Sequence, residues 1–383
     1  MKKLLGALAF LALLFASPAK AANLLVEPAS TSASLAQALE SAQDGDVIDI
    51  MPGEYKAEPL LLPPKRLTLR GVGPRPVLRA DGKPGAARGI WVVDGGDITI
   101  ENLEFRGARS LDADGAGIFV VSGHVHVVNC AFHDDEHGIQ TGNDANTELK
   151  IDNSVFGDAP RIVGGLAHLL NVGRIARLEV RGSRFQNGFE GHLIKSRARE
   201  TRLLYNLIDD GPTGQASYEV DLPDAGQAWL IGNVIGQSPQ SRNPVVVAYG
   251  AENRNWDKNA LYLAHNTLIS RGWIPAWFLR VFRDHLPAAT PVVAVNNLVI
   301  GPGVFSWGAR GDFEGNSHSW SSSLVDLDTM ALEIAPDSRL RGSGIDPSRI
   351  DGQDLSPKAE FTPPVGTRPL GALSHWSPGA YPR

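Results

Sequence analysis

Between residues 186 and 235 the chain gathers Glu190, His192, Lys195, Arg197, Arg199, Tyr218, Glu219 and Asp221. A lysine removes a carbon-bound proton when positive neighbours hold part of its population neutral, and Arg197 and Arg199 follow Lys195 closely. Lys195 is therefore the candidate base, against the plainer reading of a solvated basic strand. His192 is a second candidate base, although His137 and His168 at equivalent places favour a structural role for it. Tyr218 is a candidate acid, and Arg197, Arg199, Arg202 and Arg242 are candidate partners for acidic groups. Asp221 and Asp224, or Asp209 and Asp210, offer the paired carboxylates of a hydrolase. Asp221 and Asp224 serve equally well to hold a turn, with Pro223 and Gly226 between and after them. Glu190 and Asp221 with nearby amides are suitable oxygen ligands for calcium, but no spacing matches a calcium loop. His124 and His126 share a strand face, and two ligands do not complete a zinc site. Trp256 and the tryptophans up to Trp277 stack on sugar rings or lie beneath a loop.

These residues are set on a repeating frame. An apolar alternation ending in Asn and one or two apolar residues recurs: ITIENLEF at Asn102, VHVVNCAF at Asn129, LKIDNSVF at Asn153, then equivalents at Gly182, Asn206, Asn233, Asn266 and Asn297. Alternation of period two belongs to strands, and Gly-rich or Asp-rich turns separate them. No interval holds a regular crossover helix, so the fold class is all-β, with stacked coils of a single-stranded right-handed parallel β-helix. Equivalent Asn side chains then lie above one another at a bend and hydrogen-bond along the stack. Leu35–Ala42 reads as a short amphipathic helix capping the open end, and Val47–Ile50 as the first strand.

Aligning the next strand of each coil places His137-Gly-Ile-Gln140, His168-Leu-Leu-Asn171, His192-Leu-Ile-Lys195 and Tyr218-Glu-Val-Asp221 side by side. Gln140, Asn171, Lys195 and Asp221 then form an outward polar column with steps of about 4.8 Å, suited to gripping an extended polymer. Longer intervals imply projecting loops at residues 157–172, Gln237 to Lys258 and Arg271 to Leu286. Beyond Gly303 the repeat fades, and residues 304–383 read as an irregular cover packed along residues 22–303.

Lys2 and Lys3 precede an apolar run to Phe15 and small residues ending Ala19-Lys20-Ala21, the pattern of an export signal over residues 1–21. A periplasmic or secreted monomer without a membrane span is expected, and its single cysteine, Cys130, supplies no internal disulfide. The formal charge of -6 gives no basic excess, so nucleic acid is not expected as the main partner.

The coil pattern, the export signal, the amphipathic opening and the Glu190…Lys195-Ser196 segment followed by Asn206 resemble right-handed parallel β-helix polysaccharide lyases, the pectate-lyase-like solenoids, and especially the chondroitinase B and alginate lyase group. The coil resemblance spans roughly residues 33–300 and is a fold-level signal; the Lys-Ser segment is more specific but short. The resemblance implies a secreted enzyme cleaving an acidic, uronate-containing polysaccharide by β-elimination. Lys195 would be its base and Glu190 a calcium ligand; the column, the arginines and the tryptophan make Gln140, Asn171, Arg197, Arg199, Arg242 and Trp256 the candidate substrate contacts. The next coil departs from the family pattern, with Tyr218-Glu219-Val220-Asp221 in place of Arg-His-Gly, and Gly188 replaces an acid before Glu190. A β-helix hydrolase using Asp221 and Asp224, and a non-catalytic glycan-binding protein, are the alternatives.

Overall fold

The computed structural model describes residues 21–383 other than 29–31, 84, 86, 163–164, 253 and 321–324. The export signal expected over residues 1–21 lies, but for its last residue, outside the described residues. No helix among the described residues is long and apolar enough to cross a membrane.

The chain winds into a parallel β-solenoid of about 10 turns. Each full coil supplies one strand to each of three parallel ladders. The site ladder runs through strands such as His137–Thr141, His168–Val172, Ile194–Ser196, Val220–Leu222 and Val245–Tyr249. The pre-bend ladder includes Glu148–Asp152, Arg177–Arg181 and Glu200–Leu204, and the post-bend ladder Val155–Gly157, Arg184–Gln186 and Leu207–Asp209. In the coils at Gly89–Glu101 and Ala116–Val128 one long strand serves two ladders, turning the corner through Gly95, Gly96 and Gly123 at positive φ. The capping helix occupies Ser32–Ser41 and the strand after it Val47–Ile50, close to where their patterns place them.

Alternation fills the interior with one apolar side chain per strand repeat. Phe105, Phe132, Phe156 and Phe185 stack face to face at 5.2, 4.7 and 4.6 Å, and Trp91 meets Phe105 edge-on at 5.0 Å. Burying each such ring contributes roughly 1.5–3 kcal/mol. Gly138 lies against this stack, where a Cβ would come within 2.7 Å of Phe156.

The bend itself corrects the sequence reading by one residue. Two adjacent positions are involved. At the first the chain turns through left-handed φ in each coil from Asn102 onward: Asn102, Asn129, Asn153, Gly182, Tyr205, Gly232, His265, Asn296 and Gly315. Asn and Gly tolerate this conformation best. The buried ladder belongs to the next residue, occupied by Cys130, Ser154 and Ser183 and then by Asn206, Asn233, Asn266, Asn297 and Asn316. Each Asn Oδ1 accepts the backbone N–H of the preceding coil's ladder residue, and between successive Asn residues also the side-chain N–H. Asn206 N and Nδ2 donate to Asn233 Oδ1 at 3.0 Å, and Asn233 N and Nδ2 to Asn266 Oδ1 at 3.1 and 2.9 Å. The series of Asn102, Asn129 and Asn153 thus continues in Tyr205 and Gly232, not in Asn206 and Asn233.

The ladders persist to Ser319. The rest of the chain then runs back along the coils, with Phe361 and Tyr381 packing on Leu207, Val234 and Leu298, and Leu355 on Tyr205 and Tyr262. It also props two bends whose residues disfavour left-handed φ. Lys358 N donates to Tyr205 Oη at 2.8 Å, and Trp376 lies on His265 at 5.1 Å.

Candidate functional site

The site ladder has the expected register: Gln140 pairs with Asn171, Asn171 with Lys195 and Lys195 with Asp221. Ile139, Leu170, Ile194 and Val220 point inside, fully buried. The column is not open along its length, however. Gln140 is buried and Asp221 is only 3 % exposed, which leaves Asn171 and Lys195 at the surface between them.

The histidines form a ring ladder on the same strands. His137, His168, His192 and Tyr218 succeed one another at 5.5, 4.8 and 4.8 Å. Each imidazole Nδ1 accepts a backbone N–H of the next coil: His168 N to His137, His192 N to His168, and Tyr218 N to His192 at 3.3 Å. Burial pushes His137 down to about 4 and His192 to about 3, so both are neutral. An Nδ1 that accepts leaves the His192 proton on Nε2, which faces Asp221 Oδ2 at 3.4 Å. His192 thus lies between the Tyr218 backbone N–H and the Asp221 carboxylate, and half-buried Tyr218 ends the ring ladder.

Lys195 Nζ lies 3.7 Å from Asp221 Oδ2 and 3.7 Å from Glu252 Oε1. Burial raises the Asp221 carboxyl to about 6, with Lys195 and Arg197 opposing that shift, and its Oδ1 has no hydrogen-bond partner. Arg197 bonds Glu252 at 2.7 Å and lies 3.7 Å from Asp224, whose other oxygen bonds Arg174. Asp224 is wholly buried and ion-paired to two arginines. Neither Asp221 nor Asp224, the pair considered for hydrolysis, presents its carboxylate at the surface. Asp209 and Asp210 fare no better: Asp209 is bound by Arg271, and Asp210 accepts the N–H groups of Gly188 and Ala216.

Beside Lys195 a cavity of about 320 Å³ is lined by Arg88, Arg174, Arg197 and Arg254, with Gln140, Asn143, Asn171 and Glu252. The buried Gln140 Oε1 is unpaired. Arg88, Arg174, Arg254 and Glu252 were not singled out from the sequence, since they come from three separate segments and carry no local motif. Of its two expected places, stacked on a sugar or packed within a loop, Trp256 takes the second. Its Nε1 donates to Arg197 O at 3.0 Å and Arg174 lies 4.0 Å over its ring, so it braces the arginines instead of offering that face to a sugar.

Three predicted contacts lie apart from this groove. Arg199 is exposed at a corner outside the cavity lining. Arg202 belongs to the pre-bend ladder, pairing with Glu200 and covering Trp229. Arg242 joins Glu190 in a separate cavity of about 390 Å³ with Gln215, Ser217 and Asn243. Calcium takes six to eight oxygens with several carboxylates. Glu190 is the one carboxylate of that cavity and shares it with Arg242, so the donor set does not fit the ion. No group of three or more His, Cys, Asp or Glu suited to a metal occurs among the described residues.

Of the expected projecting loops, Gln237 to Lys258 and Arg271 to Leu286 each contain a site-ladder strand, Val245–Tyr249 and Ala276–Val281, which pair with each other. Phe278 is buried inside while Trp273 is 96 % exposed. His124 and His126 pair with Asp97 and Asp152, each at 2.8 Å, away from the groove.

Behind the site strands lies an inner carboxyl group. Burial raises Glu219 well above the usual range, with Asp210 and Asp209 adding to the shift, and raises Asp210 to about 7. Glu219 keeps its proton in the folded chain at pH values where the unfolded chain has released it. Its contribution is therefore complete below the unfolded value of 4.5 and falls as pH rises toward the folded one. Glu219→Gln mimics the protonated acid and retains the contact with Gln237 Nε2. It is expected to raise the melting temperature by several degrees at about pH 8 and to leave it unchanged at about pH 4; equal shifts at both would contradict the assignment.

A parallel solenoid of this form is shared with a pectate lyase of known structure. Pectate lyase Pel9A is similar, with a TM-score of 0.66 and 15 % identity over 94 % of this chain and 96 % of that one. At that identity the likeness establishes the fold. The PL6 family alginate lyase AlyGC also matches, at TM-score 0.37 and 15 % identity over 77 % of this chain and 47 % of that one. The PL6 family polysaccharide lyase Pedsa3628 from Pseudopedobacter saltans matches at 0.38 and 15 % identity over 82 % and 96 %. No family model matches the chain.

Proposed function

We propose that this protein is an exported polysaccharide lyase that cleaves an acidic, uronate-containing glycan by β-elimination. The observation that supports the reading is that Lys195 lies next to Asn171 on the ladder and 3.7 Å from Glu252, two residues lining a groove that also holds four guanidinium groups. Elimination needs a base at the proton next to a carboxylate and donors for the enolate that forms. In this step the Lys195 side-chain nitrogen takes the proton from C5. The electron pair is held on the carboxylate, where Arg197 and the amide of Asn171 stabilise it, and then forms the C4–C5 double bond as the C4–oxygen bond breaks. The leaving oxygen takes a proton from the lysine or from water. Asp221, where the related lyases carry a basic residue, is covered by His192 and Lys195, so it positions the base without touching the substrate.

A panel of acidic glycans, followed by both ultraviolet absorbance and reducing ends, tests this. The unsaturated uronate absorbance is expected with at least one uronate polymer. Reducing ends without that absorbance would mean hydrolysis, and binding without any shortening would mean a glycan-binding protein.

A further inference from the structure

Glu252 makes the most informative contact of the groove. Its Oε1 touches Arg197 Nη2 at 2.7 Å and faces Lys195 Nζ at 3.7 Å. The Glu252 side chain is 41 % exposed, against 14 % for Lys195 and 22 % for Arg197, so the carboxylate covers both cations from the solvent side. The backbone around it is tied down. Glu252 N donates to Pro223 O at 2.9 Å, Trp256 Nε1 holds Arg197 O, and Asn255 Nδ2 bonds His285 O. Movement is thereby left to the side chain of Glu252 itself. Asp224, the other acid beside Arg197, is buried and bound to Arg174 as well, so it cannot withdraw.

We propose that Arg197 and Lys195 form a binding site for a carboxylate of the ligand, and that Glu252 is its built-in occupant, displaced when an anionic glycan enters. The ligand's chemistry rests on the lyase reading; the anion site does not. The Glu252 carboxylate is the solvent-exposed partner of these pairs, and water competes for an exposed carboxylate and weakens its hold. A ligand carboxylate supported by further contacts therefore exchanges with it. A neutral glycan brings nothing that compensates the two cations for losing Glu252, so the resident carboxylate selects against uncharged chains.

The test is calorimetric titration of the full chain and of its Glu252→Gln and Glu252→Asp variants at low salt, with tetragalacturonate and with inorganic sulfate. Glu252→Gln keeps the shape and removes the competing charge, so both probes are expected to bind about three- to tenfold tighter. Glu252→Asp draws the carboxylate back from Arg197 and is expected to show a smaller gain, which keeps the test open should the glutamine variant fold poorly. No gain for either probe in a folded variant, or no binding of either, overturns the proposal. A gain for sulfate without unsaturated product from any polymer keeps the anion site and ends the lyase reading.

Discussion

Lys195→Ala is expected to lower the rate of unsaturated-product formation by about 10³-fold or more, the range a positioned general base contributes. The fold is expected to survive, since the side chain points outward while Ile194 beneath it carries the packing. Asp221 still faces His192 Nε2 at 3.4 Å after the change and, with its carboxyl at about 6, takes up a proton more readily than an ordinary aspartate. Lys195→Arg separates two roles. A guanidinium keeps the charge facing Glu252 and Asp221 but does not give up its proton at working pH. That variant is expected to be as inactive as the alanine variant while still binding the polymer. Retained turnover in Lys195→Arg would show that charge, not proton removal, is what this position supplies.

The second large effect concerns the frame. Asn266→Ala is expected to destabilise the protein by ~3–5 kcal/mol, because it strands several buried groups at once. Asn233 N and Nδ2 lose their acceptor, Leu230 O loses its donor, and Asn297 Oδ1 loses one of its two donors. Asn102→Ala, at the neighbouring bend position, is expected to cost only about 1–2 kcal/mol, from left-handed strain and loss of the part-buried contact to Gly71 O and the exposed ones to Gly73 O and Asn129 Nδ2. Denaturant midpoints of the two variants measure the contrast. Equal losses would mean that the two bend positions are energetically alike.

That contrast marks where sequence reasoning succeeded and where it slipped. Strand alternation and recurring bends were strong enough to yield the coil, and the column from Gln140 to Asp221 falls in the expected register. The bend misled because asparagine suits two adjacent demands, a left-handed turn and a buried amide ladder. One letter therefore stood for different positions at Asn153 and Asn206. The phenylalanines held the missing signal: Phe105 follows Asn102 by three residues, whereas Ile208, its ladder equivalent, follows Asn206 by two. In the site, Lys195 was legible because it sits on a repeat. Glu252 and Arg174 were not, since they meet Arg197 and Asp224 only through the path of the loops. The same path makes Trp256 a brace.

The amide ladder at the bends runs in one direction, each oxygen serving the coil before it. A whole coil, from bend to bend, can therefore be added or removed while the remaining amides close up and find the same partner again. A barrel has no such freedom, because its strand number sets its diameter. Here the extent of the body is open-ended, with energetics that sum over nearest neighbours. The distance of Lys195 from either end then becomes a matter of how many turns lie on each side, adjustable by duplication or deletion without redesigning the turn that bears it.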